Sequence, residues 1–234
     1  MKSERIPVKS FSADNGFIGK MQKLVREEVL PYQYNILNDA IPGIEKSHAI
    51  ENIRLAAEKL RGKDVKPDEF YGMVFQDSDV AKWIEAAAYA LAAGEDPKLE
   101  KAVDETIQLY GASQHEDGYV DSYFTVKCPD KMWTNICDAH ELYCAGHMME
   151  AAVAYYEVTG KRELLDIMSK SADCIYEQFM KKNTRAYPGH PEVELALMRL
   201  WRATGNEKYK ELAKHFVDVR GQAPNYFVEE KKNR

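Results

Sequence analysis

Apolar residues recur along this chain at intervals of three and four, the spacing that gathers side chains on one face of an α-helix. Ile50, Ile53, Ala57 and Leu60 form one such stripe, with Ser47 placed to cap its start. Val80, Trp83-Ile84, Ala87 and Leu91 form the next, after the polar triplet Asp77-Ser78-Asp79. Leu99, Val103 and Ile107 follow, then Leu142, Ala145, Met149, Ala152-Val153 and Tyr156. Leu164-Leu165, Met168, Ala172 and Ile175 make another, as do Val193, Ala196-Leu197, Leu200 and Trp201, and Tyr209, Leu212, Phe216 and Val219 close the series. An earlier helix is expected over 18–30, with Pro31 kinking it or starting a fresh one. No stretch alternates convincingly with the period of two that a half-buried strand needs, so the pattern predicts an all-α protein of roughly eight helices in four hairpins.

The joints carry their own signal. Gly94, Gly160 and Gly205 each follow one helix and precede another. Glycine there fits a left-handed residue that ends a helix, because it has no Cβ to clash. Short connections make the flanking helices antiparallel neighbours. The glycines are unequally spaced, which fits a tetratricopeptide-like array poorly. Two longer stretches, 111–132 and 183–189, are rich in aromatics, prolines and glycines and read as ordered loops. The expected architecture is a curved layer of helix pairs such as an α/α toroid, with a plain bundle as the alternative.

Composition narrows the function. Of 234 residues, 45% are hydrophobic and 30% charged, enough for a sizeable core and one domain over 1–234. A net charge of −6 excludes the concentrated excess of Lys and Arg that nucleic acid requires. No apolar run is long enough to span a bilayer, and the opening Met1-Lys2-Ser3-Glu4-Arg5 leads into no signal segment, so a cytoplasmic, membrane-free protein is expected. Cysteines 128, 137, 144 and 174 form no C-x-x-C pair and read as buried free thiols.

The densest polar constellation is Asp138-Ala139-His140-Glu141-Leu142-Tyr143-Cys144-Ala145-Gly146-His147. Asp138 and Glu141 have capping-box spacing, which puts His140 in the first turn of a helix. His140, Cys144 and His147 then lie close to one face. A zinc-protease H-E-x-x-H fails because position 144 is cysteine, and a helix holds His140 and His147 roughly 10 Å apart, too far for one ion. In Tyr187-Pro188-Gly189-His190-Pro191-Glu192, Pro191 suits a first helical position, so His190 falls at or just before a helix start. The positive end of a helix disfavours imidazolium, so both histidines are expected to be neutral near pH 7 and to suit a polyhydroxylated ligand. One intervening helix makes the two histidine-bearing helices parallel, with their starts at the same end. Trp133-Thr134-Asn135 and Gly118-Tyr119-Val120-Asp121-Ser122-Tyr123-Phe124 could stack on a sugar or could be core, and neither Asp79 nor Glu85 is paired with a second carboxylate as a glycosidase needs.

Six stretches in one order resemble the β-L-arabinofuranosidase family, glycoside hydrolase family 127. They are Val29-Leu30-Pro31-Tyr32-Gln33-Tyr34; the run from Gly72-Met73-Val74-Phe75-Gln76-Asp77 to Trp83-Ile84-Glu85-Ala86-Ala87; Gln114-His115-Glu116-Asp117-Gly118-Tyr119; His140-Glu141-Leu142-Tyr143; Gly189-His190-Pro191-Glu192-Val193-Glu194; and Val217-Asp218-Val219-Arg220-Gly221-Gln222. The resemblance implies an all-α domain of consecutive antiparallel hairpins forming part of an (α/α)6 toroid. It also implies that Gln33, His140 and His190 bind the arabinofuranose being cleaved. The family acts on non-reducing-end β-L-arabinofuranosides with retention, through a zinc-bound cysteine thiolate and a glutamate acid/base. Those catalytic residues and zinc ligands lie beyond the matched region, which implies no catalytic residue, metal ligand or cofactor in this chain. The expectation is therefore a glycoside-hydrolase-like chain truncated before its catalytic residues, whose partner is an L-arabinofuranoside or related sugar. The alternative is a non-catalytic helical carbohydrate-binding or interaction module, or one part of a split enzyme. Open toroid edges would then favour self-association or a C-terminal partner chain.

Overall fold

A computed structural model describes residues 6–11, 13, 16–183 and 185–233; the opening segment 1–5 lies outside them. The helices are α1 (Gly16–Leu24), α2 (Leu30–Leu37), α3 (Ala49–Leu60), α4 (Asp77–Ala93), α5 (Pro97–Ala112), α6 (Ser122–Lys127), α7 (Glu141–Thr159), α8 (Glu163–Tyr176), α9 (Val193–Thr204), α10 (Glu207–Val219) and α11 (Tyr226–Lys232). No strand occurs among the described residues. The eight long helical segments match the apolar stripes. Two elements do not: α6 sits inside the supposed loop 111–132, and α11 follows the last stripe. A wide turn, Val25–Val29, joins α1 to α2 without a break, so Pro31 starts α2 and does not end the segment before it.

Three hairpins form two layers. In the inner layer α4, α7 and α9 run in the same sense, as their contacts show. Phe75 and Lys82 meet His140 and Tyr143, and His140 and Glu150 meet His190 and Arg199. The outer helices α5, α8 and α10 return antiparallel behind them. Gln114 donates to the Ile167 carbonyl, and Tyr209 donates to that of Ser169. This is the arrangement of an arc of α/α toroid. The first segment does not form a tight hairpin with α3, because the loop 38–48 intervenes. It crosses α4 in the opposite sense, where Trp83 Nε1 donates to the Leu30 carbonyl at 3.1 Å and Arg26 reaches the Glu95 carbonyl at 2.8 Å.

Of the joint glycines, Gly160 (φ 77°) and Gly205 (φ 73°) take the left-handed conformation and end α7 and α9. Gly94 does not: its φ of 169° is extended, and Asp96 makes the turn by accepting the Leu99 N–H at 3.1 Å. Ser47 is not the residue that starts α3. His48 (φ 55°) occupies that place, while the Ser47 hydroxyl accepts the Ala49 N–H at 3.3 Å.

α7 is the central element, buried on nearly every side by Leu142, Ala145, Met148, Met149, Ala151, Ala152, Val153 and Tyr155. Gly146 lets α9 come close, since a Cβ there would lie 3.1 Å from the Val193 backbone and 2.9 Å from Glu192 Cγ. No helix among the described residues is long and apolar enough to cross a membrane. The Gly146→Val variant should therefore lose about 1–3 kcal/mol through overpacking between α7 and α9, read as a fall in Tm of several degrees. An unchanged melting curve would show that the two helices separate freely.

Candidate functional site

The inner helices α4, α7 and α9 all begin at one end of the array, and there the chain brings its two singled-out histidines into contact. His140 directly precedes α7 with φ 63°, a left-handed conformation rare for a residue with a side chain. Trp133, upstream in the same loop, is also left-handed at φ 61°. Such residues cost of order 1–3 kcal/mol each and persist only when their surroundings over-determine them. Glu141 does much of this. Its carboxylate is only 4% exposed, accepts the Trp133 N–H with both oxygens at 3.1 Å, and accepts the Tyr119 hydroxyl at 2.7 Å. Burial raises its pKa to about 7, against the pull of these donors. The anticipated capping box is therefore not formed. Glu141 is used inward, and the Asp138 N–H goes to Asn135 Oδ1 at 3.0 Å.

His190 lies on the turn 188–192, and α9 begins at Val193, so Pro191 precedes the helix and is not its first residue. Arg220 holds this turn: Nη2 donates to the Pro188 carbonyl at 2.9 Å and to Glu194 Oε1 at 2.8 Å, and the guanidinium stacks on Tyr187. Gly189 packs directly on the Cys137 carbonyl, where a Cβ would come within 1.9 Å. The two histidine loops are thus pressed together, and His140 Nε2 lies 3.0 Å from His190 Nε2. One ring donates and the other accepts, so the pair holds a single shared proton between the two nitrogens. Burial lowers the pKa of His140, assisted by the neighbouring His190. The neutral state expected for His140 has this physical basis.

Around the pair stand His147, singled out with His140 in the sequence, and groups that the motifs left without a role. Phe75 lies 5.2 Å from the His140 ring, and Tyr143 touches both imidazoles. Lys82 donates to the Tyr143 oxygen at 3.0 Å and to Ser78 Oγ at 3.1 Å. His147 faces Glu192, Nδ1 to Oε1, at 3.4 Å. Burial, with Lys82 nearby, pushes His147 down to about 4, while burial together with Glu150 and Glu85 pushes Glu192 up to about 7. The imidazole of this contact is thus held toward its neutral form and the carboxyl toward its protonated one. Deeper along the inner face, Arg199 binds Glu150, Glu85 and the Tyr89 hydroxyl.

Other candidates lie elsewhere. Cys144 does not share the face of His140. It turns into the core beside Asp77 and Asp121, and burial holds its thiol well above the ordinary range. Gln33 is exposed on α2, and no hydrogen bond joins it to the histidine pair. Tyr119, Val120 and Phe124 are buried, so that stretch is core, while half-buried Trp133 packs edge-on against Tyr119 and Phe179 beside exposed Thr134. Asp79 takes a bond from Gln76, and Glu85 belongs to the Arg199 cluster. No group of three or more His, Cys, Asp or Glu among the described residues could hold a metal ion. Burial also raises the pKa of all four thiols, the reverse of what a metal-bound thiolate needs.

Comparison with known proteins places this geometry. The profile of the β-L-arabinofuranosidase GH127 catalytic domain matches residues 12–234. A non-reducing end β-L-arabinofuranosidase of Bifidobacterium longum subsp. longum is 40% identical over 226 aligned residues, covering 88% of this chain and 33% of its own length. The crystal structure of a GH127 β-L-arabinofuranosidase from Geobacillus stearothermophilus T6 superposes with a TM-score of 0.88 at 53% identity, covering 94% of this chain and 34% of that one. A further GH127 β-arabinofuranosidase structure gives 0.81 at 33% identity, over 92% of this chain and 34% of the other. The chain spans about a third of the length of these relatives.

The raised Glu192 pKa has a measurable consequence. Between about pH 4.5 and 7 the folded protein keeps a proton that the unfolded chain has released, so this group's contribution to stability declines as pH rises through that window. Relative to the wild type, Glu192→Gln should gain about 1–2 kcal/mol between pH 5 and 7.5 and level off above. Urea melts at a series of pH values measure it; a pH-independent difference would place the Glu192 pKa at its ordinary value.

Proposed function

The chain belongs to the β-L-arabinofuranosidase GH127 family, and from that membership we propose that it carries the part of such a site that grips the sugar. One observation carries the reading: the 3.0 Å contact between His140 Nε2 and His190 Nε2 at the common end of the inner helices. One nitrogen of this pair offers a proton and the other a lone pair. A sugar hydroxyl can insert between them, accepting from the first and donating to the second, whereas a carboxylate can only accept. The surrounding aromatic rings of Phe75 and Tyr143 offer apolar surface to the carbon skeleton.

An L-arabinofuranoside is the ligand in this reading, supported by the activity of the Bifidobacterium relative. Gln33, exposed on α2, is assigned as a further sugar contact by the family resemblance alone. The role of these residues is to bind and orient the sugar. Four free thiols support a reducing, cytoplasmic setting. A second reading, association of two copies, is favoured by the exposed apolar residues Phe17, Ile18, Met21, Leu24 and Val25 of α1 and the turn after it. Sedimentation as a monomer at all concentrations would remove that second reading.

The test of the main reading uses the chain alone, titrated with L-arabinose and with an aryl β-L-arabinofuranoside. Binding without release of the aryl group is expected, weakened at least tenfold in His140→Ala and His190→Ala variants that keep the helical circular-dichroism spectrum. Absence of binding would overturn the sugar-gripping role, and metal-dependent turnover would overturn the division between gripping and chemistry.

A further inference from the structure

The short helix α11 bridges the two loops that carry the histidines, although it contains neither. On one side it meets the His190 loop: Tyr187 packs on Phe227 with ring centroids 4.4 Å apart, and Asn183 Nδ2 donates to the Tyr226 hydroxyl at 3.2 Å. Arg185 adds an ion pair to Glu229 at 3.0 Å and a bond to the Pro224 carbonyl at 2.6 Å. On the other side lies the His140 loop, which an exposed Lys231–Asp138 ion pair at 3.9 Å reaches at the surface and a carboxylate holds from within. Glu230 is 8% exposed and accepts two consecutive backbone N–H groups, that of Ile136 at 2.7 Å through Oε1 and that of Cys137 at 3.2 Å through Oε2. The Tyr226 hydroxyl donates to Oε1 at 3.2 Å and fixes the carboxylate on its own helix.

The residue held by Glu230 is the one on which the pair depends. The Cys137 carbonyl is the surface against which Gly189 is pressed, one residue before His190. Three residues after Cys137 the chain reaches His140 in its left-handed conformation. A shift of Cys137 therefore moves both partners of the 3.0 Å contact at once. We propose that α11 is a latch on the sugar site and that Glu230 is the positioning residue that sets the distance between His140 and His190. The inference rests on the histidine pair being the sugar-gripping element. The chemistry requires a carboxylate, because two N–H donors converge on two oxygens. An amide keeps one acceptor and turns an NH2 group toward the other donor, which leaves a buried donor facing a donor.

The experiment compares the wild type with Glu230→Gln, Glu230→Asp and Phe227→Ala in the full chain. Nitrogen-15 spectra of the histidines report the shared proton directly, since the donating and accepting Nε2 atoms differ widely in shift. The wild type is expected to show one donor and one acceptor Nε2 linked in the pair. Glu230→Gln should lose this pattern while its helical spectrum is kept, with the dissociation constant for L-arabinose raised about tenfold, and Glu230→Asp should restore part of both. Phe227→Ala, which loosens the helix from the other loop, should reproduce the loss should Glu230→Gln fail to fold. An unchanged histidine pattern in folded Glu230→Gln, or in Phe227→Ala, overturns the latch. If the wild type shows the paired histidines yet binds no arabinose, the sugar reading fails while the spectra still decide the role of Glu230.

Discussion

A helix buried on almost every side must find an internal partner for each polar group it carries, because an unpaired one in the core costs about 1–3 kcal/mol. α7 is such a helix, and its solutions set much of the surrounding structure. Glu141 takes the N–H of a left-handed Trp133 and the hydroxyl of Tyr119. Glu150 takes the guanidinium of Arg199 from α9, and Tyr155 donates to Asp104 of α5. Each bond ties α7 to a different neighbour, so the loops and helices around it are fixed by the need to satisfy it. The histidine pair is a by-product of that constraint: His140 sits one residue before Glu141, and the loop that Glu141 anchors is the one that leans on Gly189.

The electrostatics of the inner face follow from crowding of like charge. Glu85, Glu150 and Glu192 share this wall with two cations, Lys82 and Arg199. Arg199 engages Glu85 and Glu150 in one geometry, which leaves Glu192 half-buried with like-charged neighbours. It answers by keeping its proton up to about pH 7. His147 answers the same burial, beside Lys82, by shedding its own. Behind the wall, burial raises the carboxyls of Asp77 and Asp121, although Asp77 takes the Ser122 N–H at 2.7 Å and Asp121 that of Phe124 at 3.0 Å. These raised carboxyls lie at and behind a wall whose cations are Lys82 and Arg199.

Membership of the β-L-arabinofuranosidase GH127 family gives this surface its context. The superposition with the Geobacillus enzyme covers 94% of the chain, so the two-layer array is the family's own arrangement over that stretch. The chain spans about a third of that enzyme's length. Within the described residues the inner helices α4, α7 and α9 present their starts to a common end.

What the sequence by itself determined is local or follows from local features. The period of the apolar stripes set the helices, and two of the three joint glycines set left-handed helix ends, because both depend on residues a few positions apart. Short joints made neighbours antiparallel, and that alone put His140 and His190 at one end. The tertiary structure decided everything that depends on helix rotation and on loops meeting across the chain. It turned Cys144 into the core and Glu141 away from its cap, left Gln33 exposed, and brought Lys82, Tyr143 and Glu192 to the site. It also closed the histidine pair to 3.0 Å through Arg220 and Glu230, residues from the far end of the chain. No spacing rule reaches so far, because such contacts are fixed by the packing of side chains distant in sequence, and packing is a property of the whole fold.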